Sequence, residues 1–423
     1  MRLAVFTSHF PGRVNTFFAR DMRALLEAGI ELDIFPLYPL DPELWRYVPD
    51  ILDERVLPRN RVHHLDLSRT FRFKGLTRGG HVARFLRDTW AIRASAIGYG
   101  LAPVAKSEYV FLKAWTWAQE HGDAYDHVLA YWGNYPASCA YIFHRLMTRS
   151  VPFSMFLHAG TDLYRDQVFL RQKMLHADNI FVVCDFNREF IKSKYADIYP
   201  RLANKIHLYH LGLDLSEFQF RIDGRKPRTV LAVGSLEKIK GFHYLIQAVA
   251  RLVGWGVDVQ LELVGSGPER ERLTQLADRL GVSSRVTFRG LLTFDRVRDA
   301  MAQATILVHP STGLGDAVPT VIKEAMAVGV PIVASRVAGI PELVDDGRCG
   351  LLVPPKDVDA LANAMERLLT DEALRRHYAV AGRRYAEQRF DLWQNGSALA
   401  ARLRCATRKP TIANVGARAE RVS

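Results

Sequence analysis

The segment Ser311-Thr312-Gly313-Leu314-Gly315-Asp316-Ala317-Val318-Pro319 follows a strand-like run and leads into a helical one. Its glycines would let backbone N–H groups come close to a ligand, and the helix opening at Pro319 would add its positive dipole end. Phosphate is the natural occupant of such a loop. The pattern recurs upstream at Gly234, at Gly265-Ser266-Gly267-Pro268 and at Gly290, each at the carboxyl end of a strand-like run. Taken singly, each is an ordinary strand-to-helix turn. In a parallel sheet, however, all these ends share one edge, and ligands bind in the crevice outside it. Other chemistries lack their residues: there is no H-E-x-x-H, G-x-S-x-G, G-x-x-x-x-G-K-[ST] or G-x-G-x-x-G. One D-x-D, Asp357-Val358-Asp359, could suggest a metal gripping a nucleotide diphosphate. It opens an amphipathic helix after Pro354-Pro355-Lys356, where aspartate is the ordinary cap.

The elements that must position these loops alternate between strand and helix, the signature of parallel sheets covered by helices. Strands are expected at Arg2–Thr7, Glu31–Pro36, His127–Tyr131, Phe153–His158 and Asn179–Val183, with helices at Asn15–Ala28 and Pro136–Thr148. In the second half, strands are expected at Thr229–Val233, Val259–Val264, Arg285–Phe288, Thr305–Val308 and Pro331–Ala334. The turn-rich, charged stretch 211–228 reads as a linker between a domain over 1–210 and another over 229–390. A helix follows over 391–407, and 408–423 reads as a basic tail without periodicity. The region 41–119 reads as a basic, partly helical insertion.

With 423 residues, 48% hydrophobic and 24% charged, the chain has the composition of a soluble protein of two or three domains. No apolar run reaches membrane-spanning length and no signal pattern follows Arg2, so a cytoplasmic chain is expected. Cys139, Cys184, Cys349 and Cys405 form no C-x-x-C pair and read as reduced thiols, the first three in the core. The net charge of +12 is local: 59–113 carries 11 basic against 3 acidic residues, and 399–423 carries 6 against 1. Phe71, Phe73, Phe85 and Trp90 interleave with arginines in the first of these segments, a composition suited to an anionic membrane surface on the inner face of the plasma membrane. A solvated amphipathic helix is the alternative. No nucleic-acid recognition module is present.

The run His309-Pro310-Ser311, Asp316-Ala317-Val318-Pro319, Glu324-Ala325-Met326-Ala327 and Gly329-Val330-Pro331 resembles the donor-site signature of glycosyltransferase family 4. Gly339-Ile340-Pro341-Glu342 and Gly350-Leu351-Leu352-Val353-Pro354 continue the match, as do Gly234 to Lys240-Gly241 and Val264 to Pro268 upstream. Phe10-Pro11, Thr16-Phe17, His158 to Asp162 and Gly212-Leu213-Asp214 fit in the first half. The resemblance implies the α/β GT-B architecture, two Rossmann-like, doubly wound domains facing each other across a cleft. It implies a retaining glycosyltransferase that moves a sugar from a nucleotide diphosphate to a glycan or lipid-linked acceptor in cell-surface polysaccharide or glycolipid synthesis, with no metal and no cofactor.

Carried over by resemblance, Lys240 contacts the donor diphosphate, Asp316 and Glu324 hold donor hydroxyls, and His158 lies across the cleft near the transferring sugar. Gly12, Ser235, Lys238, Gly265, Gly267, Leu292, Ala317, Val318, Pro319 and Thr320 complete the donor-binding set, and the helix over 391–407 crosses back to the first domain. Three positions depart from the family. Ser235 stands where arginine is usual, leaving Lys238 as the replacement cation. Asp316 stands where glutamate is usual, and Ala338 replaces the first glycine of a pair. The first two departures keep open a catalytically weak nucleotide-sugar-binding scaffold. An epimerase or phosphorylase on the same two-domain plan is the other alternative.

Overall fold

The computed structural model describes residues 1–10, 16–38, 57–65, 79–165 and 167–408. They divide into two compact units, one of Met1–Val183, Asn187–Leu211 and Trp393–Ser423, the other of Cys184–Phe186 and Gly212–Leu392.

The first unit is built on β1 (Arg2–Thr7), α1 (Thr16–Glu27), β2 (Glu31–Pro36), α2 (Gly79–Ile97), α3 (Leu101–His121), β3 (His127–Ala130) and α4 (Tyr135–Leu146). It continues through β4 (Phe153–Leu157), α5 (Leu170–His176), β5 (Asn179–Val182), α6 (Asp185–Lys194) and β6 (Ile206–Leu208). The sheet runs β2-β1-β3-β4-β5-β6 with every pair parallel. Its strands are apolar runs without alternation; Leu3, Ala4, Val5 and Phe6 are all buried because helices cover both faces. Within the region 41–119, expected as a partly helical insertion, the chain from 79 on forms a helical hairpin that runs to His121, with Ile92, Ala96, Val110, Phe111 and Ala114 turned into the core.

The second unit repeats the plan: β7 (Thr229–Val233), α7 (Phe242–Gly254), β8 (Gln260–Val264), α8 (Arg270–Arg279), β9 (Val286–Gly290), α9 (Phe294–Gln303) and β10 (Ile306–His309). Then come α10 (Thr320–Val328), β11 (Ile332–Ser335), β12 (Leu351–Val353), α11 (Val358–Thr370) and α12 (Glu372–Arg389); α13 (Leu392–Arg408) begins at the last residue of this unit. Its parallel sheet is ordered β12-β11-β10-β7-β8-β9. Leu245, Ile246, Val249 and Leu252 show how the helical period buries one face of α7. The expected strands appear within about two residues; β6 and β12, three residues each at sheet edges, carried too little pattern to be read.

The stretch 211–228, expected as a linker, is instead laid onto the second unit. Leu213 and Phe218 are buried in its core, the Leu213 N–H donates to the Phe390 carbonyl at 2.7 Å, and the Asp214 carboxylate accepts from the Ser216 N–H. Charge and turn residues dominate the segment, but two apolar anchors decide where it lies. The D-x-D is a cap: Asp357 accepts from the Ala360 N–H at 2.9 Å. From Trp393 onward α13 packs with the first unit, where Gly396 lies so close that a Cβ would come within 2.4 Å of the Ala24 side chain. Residues 409–423 of the basic tail lie outside the described residues.

Candidate functional site

In the second sheet the chain proceeds from β7 outward through β8 to β9, then returns to place β10, β11 and β12 on the other side of β7. The order therefore reverses between β7 and β10. That switch point is where an open parallel sheet leaves a crevice, because the loops after its two strands diverge to opposite faces. The loop after β7 carries Ser235, Lys238 and Lys240, and the loop after β10 carries Asp316 through Pro319.

Backbone contacts stitch these loops together. The Ile239 carbonyl accepts from the Thr312 N–H at 2.9 Å and from the Ser311 hydroxyl at 3.1 Å. Gly241 has φ +68°, and a Cβ there would stand 2.0 Å from the Pro310 carbonyl oxygen. Gly265 has φ +140°, and a Cβ there would stand 1.9 Å from the Gly234 carbonyl oxygen. Both positions need glycine for conformation and for space. The Leu236 N–H donates to the Ser266 carbonyl, and Gly267 rests against Leu236, so the β7 and β8 loops form one rim.

The structure joins two of the expected catalytic residues directly. The Lys240 ammonium donates to Asp316 Oδ1 at 2.7 Å, and His309 Nε2 lies 2.7 Å from Asp316 Oδ2. Asp316 and His309 are buried, while Lys240 is partly open to solvent. Burial by itself would raise the Asp316 carboxyl, but the His309 imidazole and then the Lys240 ammonium outweigh it and hold the group well below the usual carboxylate range. A carboxylate only accepts, so His309 Nε2 carries the proton; its buried Nδ1 has no partner among the described residues. His309 was quoted above only as part of a motif. A histidine ending a buried strand looks structural until the chain folds Asp316 back onto it.

The remaining donor-side positions divide. Ala317 and Pro319 are buried, Val318 and Thr320 half-buried, and α10 begins behind Pro319 with no side chain capping its amides. Glu324 is buried in the second turn of α10, among Val321, Ile322 and Ala325. Leu292 is half-buried after β9. Ser235 is exposed. Lys238 does not join the Lys240–Asp316 pair; it lines a separate cavity of about 480 Å³ with His243, Tyr244, Thr312 and Lys356. Gly12 lies outside the described residues.

In the first unit the order reverses between β1 and β3. His158 follows β4, the next strand, and is buried. Its N–H and that of Ala159 donate to the two Asp162 oxygens at 2.9 and 2.8 Å, and its Nδ1 lies 3.4 Å from Asp162 Oδ2. The proton therefore sits on Nδ1, and Nε2 is left as a buried acceptor with no partner among the described residues. The ring is held between Trp132 and Phe156, with centroids at 4.4 and 5.5 Å. Buried Lys173 ties down the loop bearing Trp132 by donating to the carbonyls of Gly133 and Asn134, and desolvation pulls its ammonium down to about 7. Trp132 and Lys173 act through contacts distant in sequence that local spacing does not reveal, whereas Asp162 reaches His158 and Ala159 within its own motif.

Fold and site thus define a doubly wound domain with glycine-built loops meeting at its switch point. Residues 227–371 match the family model described as "Glycosyl transferases group 1". The chain is 37% identical over 196 residues to the MMP alpha-(1->4)-mannosyltransferase of Mycolicibacterium hassiacum, covering 46% of each protein. It is 39% identical over 153 residues to the lipopolysaccharide core biosynthesis glycosyltransferase LpsE of Rhizobium meliloti, covering 36% of this chain and 43% of that one. The matches thus span less than half the length of these relatives. Among solved structures, a sucrose-phosphate synthase from Thermosynechococcus elongatus superposes with a TM-score of 0.69 at 21% identity over 96% of this chain and 98% of that one. Anabaena HepE in complex with UDP-glucose gives 0.69 at 19% identity over 96% of this chain and 100% of that one. These likenesses bear out the expected fold, two Rossmann-like domains of the GT-B type.

Proposed function

We propose that the chain is a retaining glycosyltransferase that moves a sugar from a nucleoside diphosphate to a glycan or lipid-linked acceptor in the cytoplasm. The carrying observation is the Lys240–Asp316–His309 chain of contacts at the β7/β10 switch point. Asp316 takes one of the three ammonium N–H groups, which leaves Lys240 two more to aim at a diphosphate. The uncapped amides opening α10 supply further donors and a positive dipole end. Relatives named as glycosyltransferases of mannose and of lipopolysaccharide core support the same reading.

In the reaction the bond from the anomeric carbon to the diphosphate oxygen breaks, and a bond to the acceptor oxygen forms. Negative charge grows on the leaving oxygen, where preorganised N–H donors and an ammonium lower the barrier most. Attack from the face that the diphosphate leaves retains the configuration, and the departing phosphate takes the acceptor's proton. Lys240 and the amides supply the positive charge, so no metal is required. Asp316, through the lone pairs left beside Lys240 and His309, and Glu324 would accept from donor hydroxyls, and His158 Nε2 would accept from a sugar hydroxyl.

The test is to incubate the full chain with nucleotide sugars and a lipid-linked or oligosaccharide acceptor and to read the new linkage by NMR. Retained anomeric configuration, with turnover unchanged by EDTA, is expected. An inverted product or an EDTA-sensitive rate would overturn those parts of the proposal. Sugar conversion without an acceptor would favour an epimerase.

A further inference from the structure

Nine large apolar side chains stand exposed among the described residues, and five of them fall between Leu86 and Leu101. Leu86 is 57% exposed, Trp90 69%, Ile97 69%, Tyr99 46% and Leu101 88%. Single exposed apolar residues need no explanation, but a contiguous set does. At about 100° per residue, Leu86 and Ile97 lie within about 40° of Trp90 on α2, forming one outward stripe. The opposite face of the same helix is already spent on the core through Thr89, Ile92 and Ala96. The α2 helix is therefore apolar on two sides, and only one of them is covered.

The flanks of the stripe are cationic. Arg87 and Arg93 project about 60° to either side of Trp90. Arg87 is largely exposed while its Nε reaches Asp88 Oδ1 at 3.2 Å, Arg84 stands exposed one turn before with one guanidinium nitrogen on the Arg145 carbonyl, and Lys106 is exposed on α3. The nearby carboxylates are neutralised within the fold: Asp88 is buried and paired with Arg145 at 2.8 Å, and Glu108 holds Arg93 through both oxygens. The turn between α2 and α3, Gly98-Tyr99-Gly100, then presents Tyr99 beside Leu101 at the tip of the hairpin. The sequence expectation placed Phe85 on this surface; it turns inward and meets Trp115 edge-on at 4.7 Å, while Phe71 and Phe73 lie outside the described residues.

We infer that the α2–α3 hairpin is a docking surface for an anionic lipid bilayer, entered by Leu86, Trp90, Ile97 and Leu101 and bordered by Arg84, Arg87 and Lys106. An apolar stripe a few residues wide with arginines on its rim suits the headgroup boundary, where rings and aliphatic chains enter the acyl layer and guanidinium groups meet lipid phosphates. Charge complementarity favours lipid over a second copy of the chain, since two such faces would oppose their own arginines. The inference goes beyond sugar transfer and does not depend on it, because binding is read without any donor.

The experiment is cosedimentation of the full chain with vesicles of phosphatidylcholine alone, or with a quarter phosphatidylglycerol, at about 50 and about 500 mM salt. Binding is expected to the anionic vesicles, to weaken with salt, and to fall by about tenfold in the Trp90→Ser/Ile97→Ser double variant. Arg87→Glu should weaken it as well. Trp255→Ser, altering an exposed tryptophan of the other unit, should leave it unchanged. Equal binding to neutral vesicles, no loss in the double variant at an unchanged melting temperature, or no binding at all would overturn the inference. So would a dimer in sedimentation velocity that the double variant dissociates, since a second copy would then be the occupant.

Discussion

Asp316 is the residue on which the donor side turns, because it holds a lysine with one oxygen and a histidine with the other. Its folded-state affinity for a proton is lowered, so the pair contributes stability in full above the ordinary carboxyl value of 3.8 and loses it as pH falls through the lowered one. Asp316→Asn should therefore cost roughly 3 kcal/mol near neutral pH in urea unfolding, and the gap to wild type should begin to narrow below about pH 4 and keep shrinking as the pH falls further. A gap that stays constant with pH would mean the carboxylate charge is not what holds the loop. Lys240→Ala should cut transfer about 100-fold or more, as loss of a preorganised charge at the leaving group does. Turnover kinetics at saturating donor would check it. Lys240 and Asp316 were legible in the sequence because each sits in a motif with fixed company; His309 stood in such a motif without showing its pairing to Asp316, and Lys173 was not legible because its partners Gly133 and Asn134 are brought by the fold.

The β7 and β10 loops meet through the close approach of Gly241 to Pro310 as well as through the Lys240–Asp316 pair, so part of the contact is steric. Gly241→Ala would push a Cβ against the Pro310 carbonyl in a backbone conformation that L residues avoid. It should lower stability by about 2 kcal/mol and weaken donor affinity about tenfold, both read by thermal unfolding with and without donor. Asp357→Ala supplies the contrast. It removes a helix cap at a cost of about 1 kcal/mol, and transfer by the folded enzyme should not change. Lost activity in that variant would return the D-x-D to the chemistry. The strands of both sheets were legible because buried parallel strands are short apolar runs, whereas β6 and β12 are edge strands of three residues. The insertion was obscure because α2 is apolar on its outer as well as its inner face, which blurs the helical period.

Across the whole molecule, the alternating pattern made two doubly wound units legible, but the seam between them was misplaced by composition. Residues 212–228 look like a tether by charge and are packed by Leu213 and Phe218. The excess positive charge is likewise regional, so an anion should be felt at one place and not over the surface. The central claim is that a nucleoside diphosphate sugar seats its phosphates at the β7/β10 edge against Lys240. The most direct measurement is a thermal-shift titration of the full chain, wild type beside Lys240→Ala, with uridine, guanosine and adenosine diphosphate sugars, since ligand-linked stabilisation reports affinity. One base class is expected to raise the wild-type Tm in a concentration-dependent way, and Lys240→Ala to lose most of that rise. A flat wild-type response to the whole panel, or an undiminished shift in the variant, would contradict the claim.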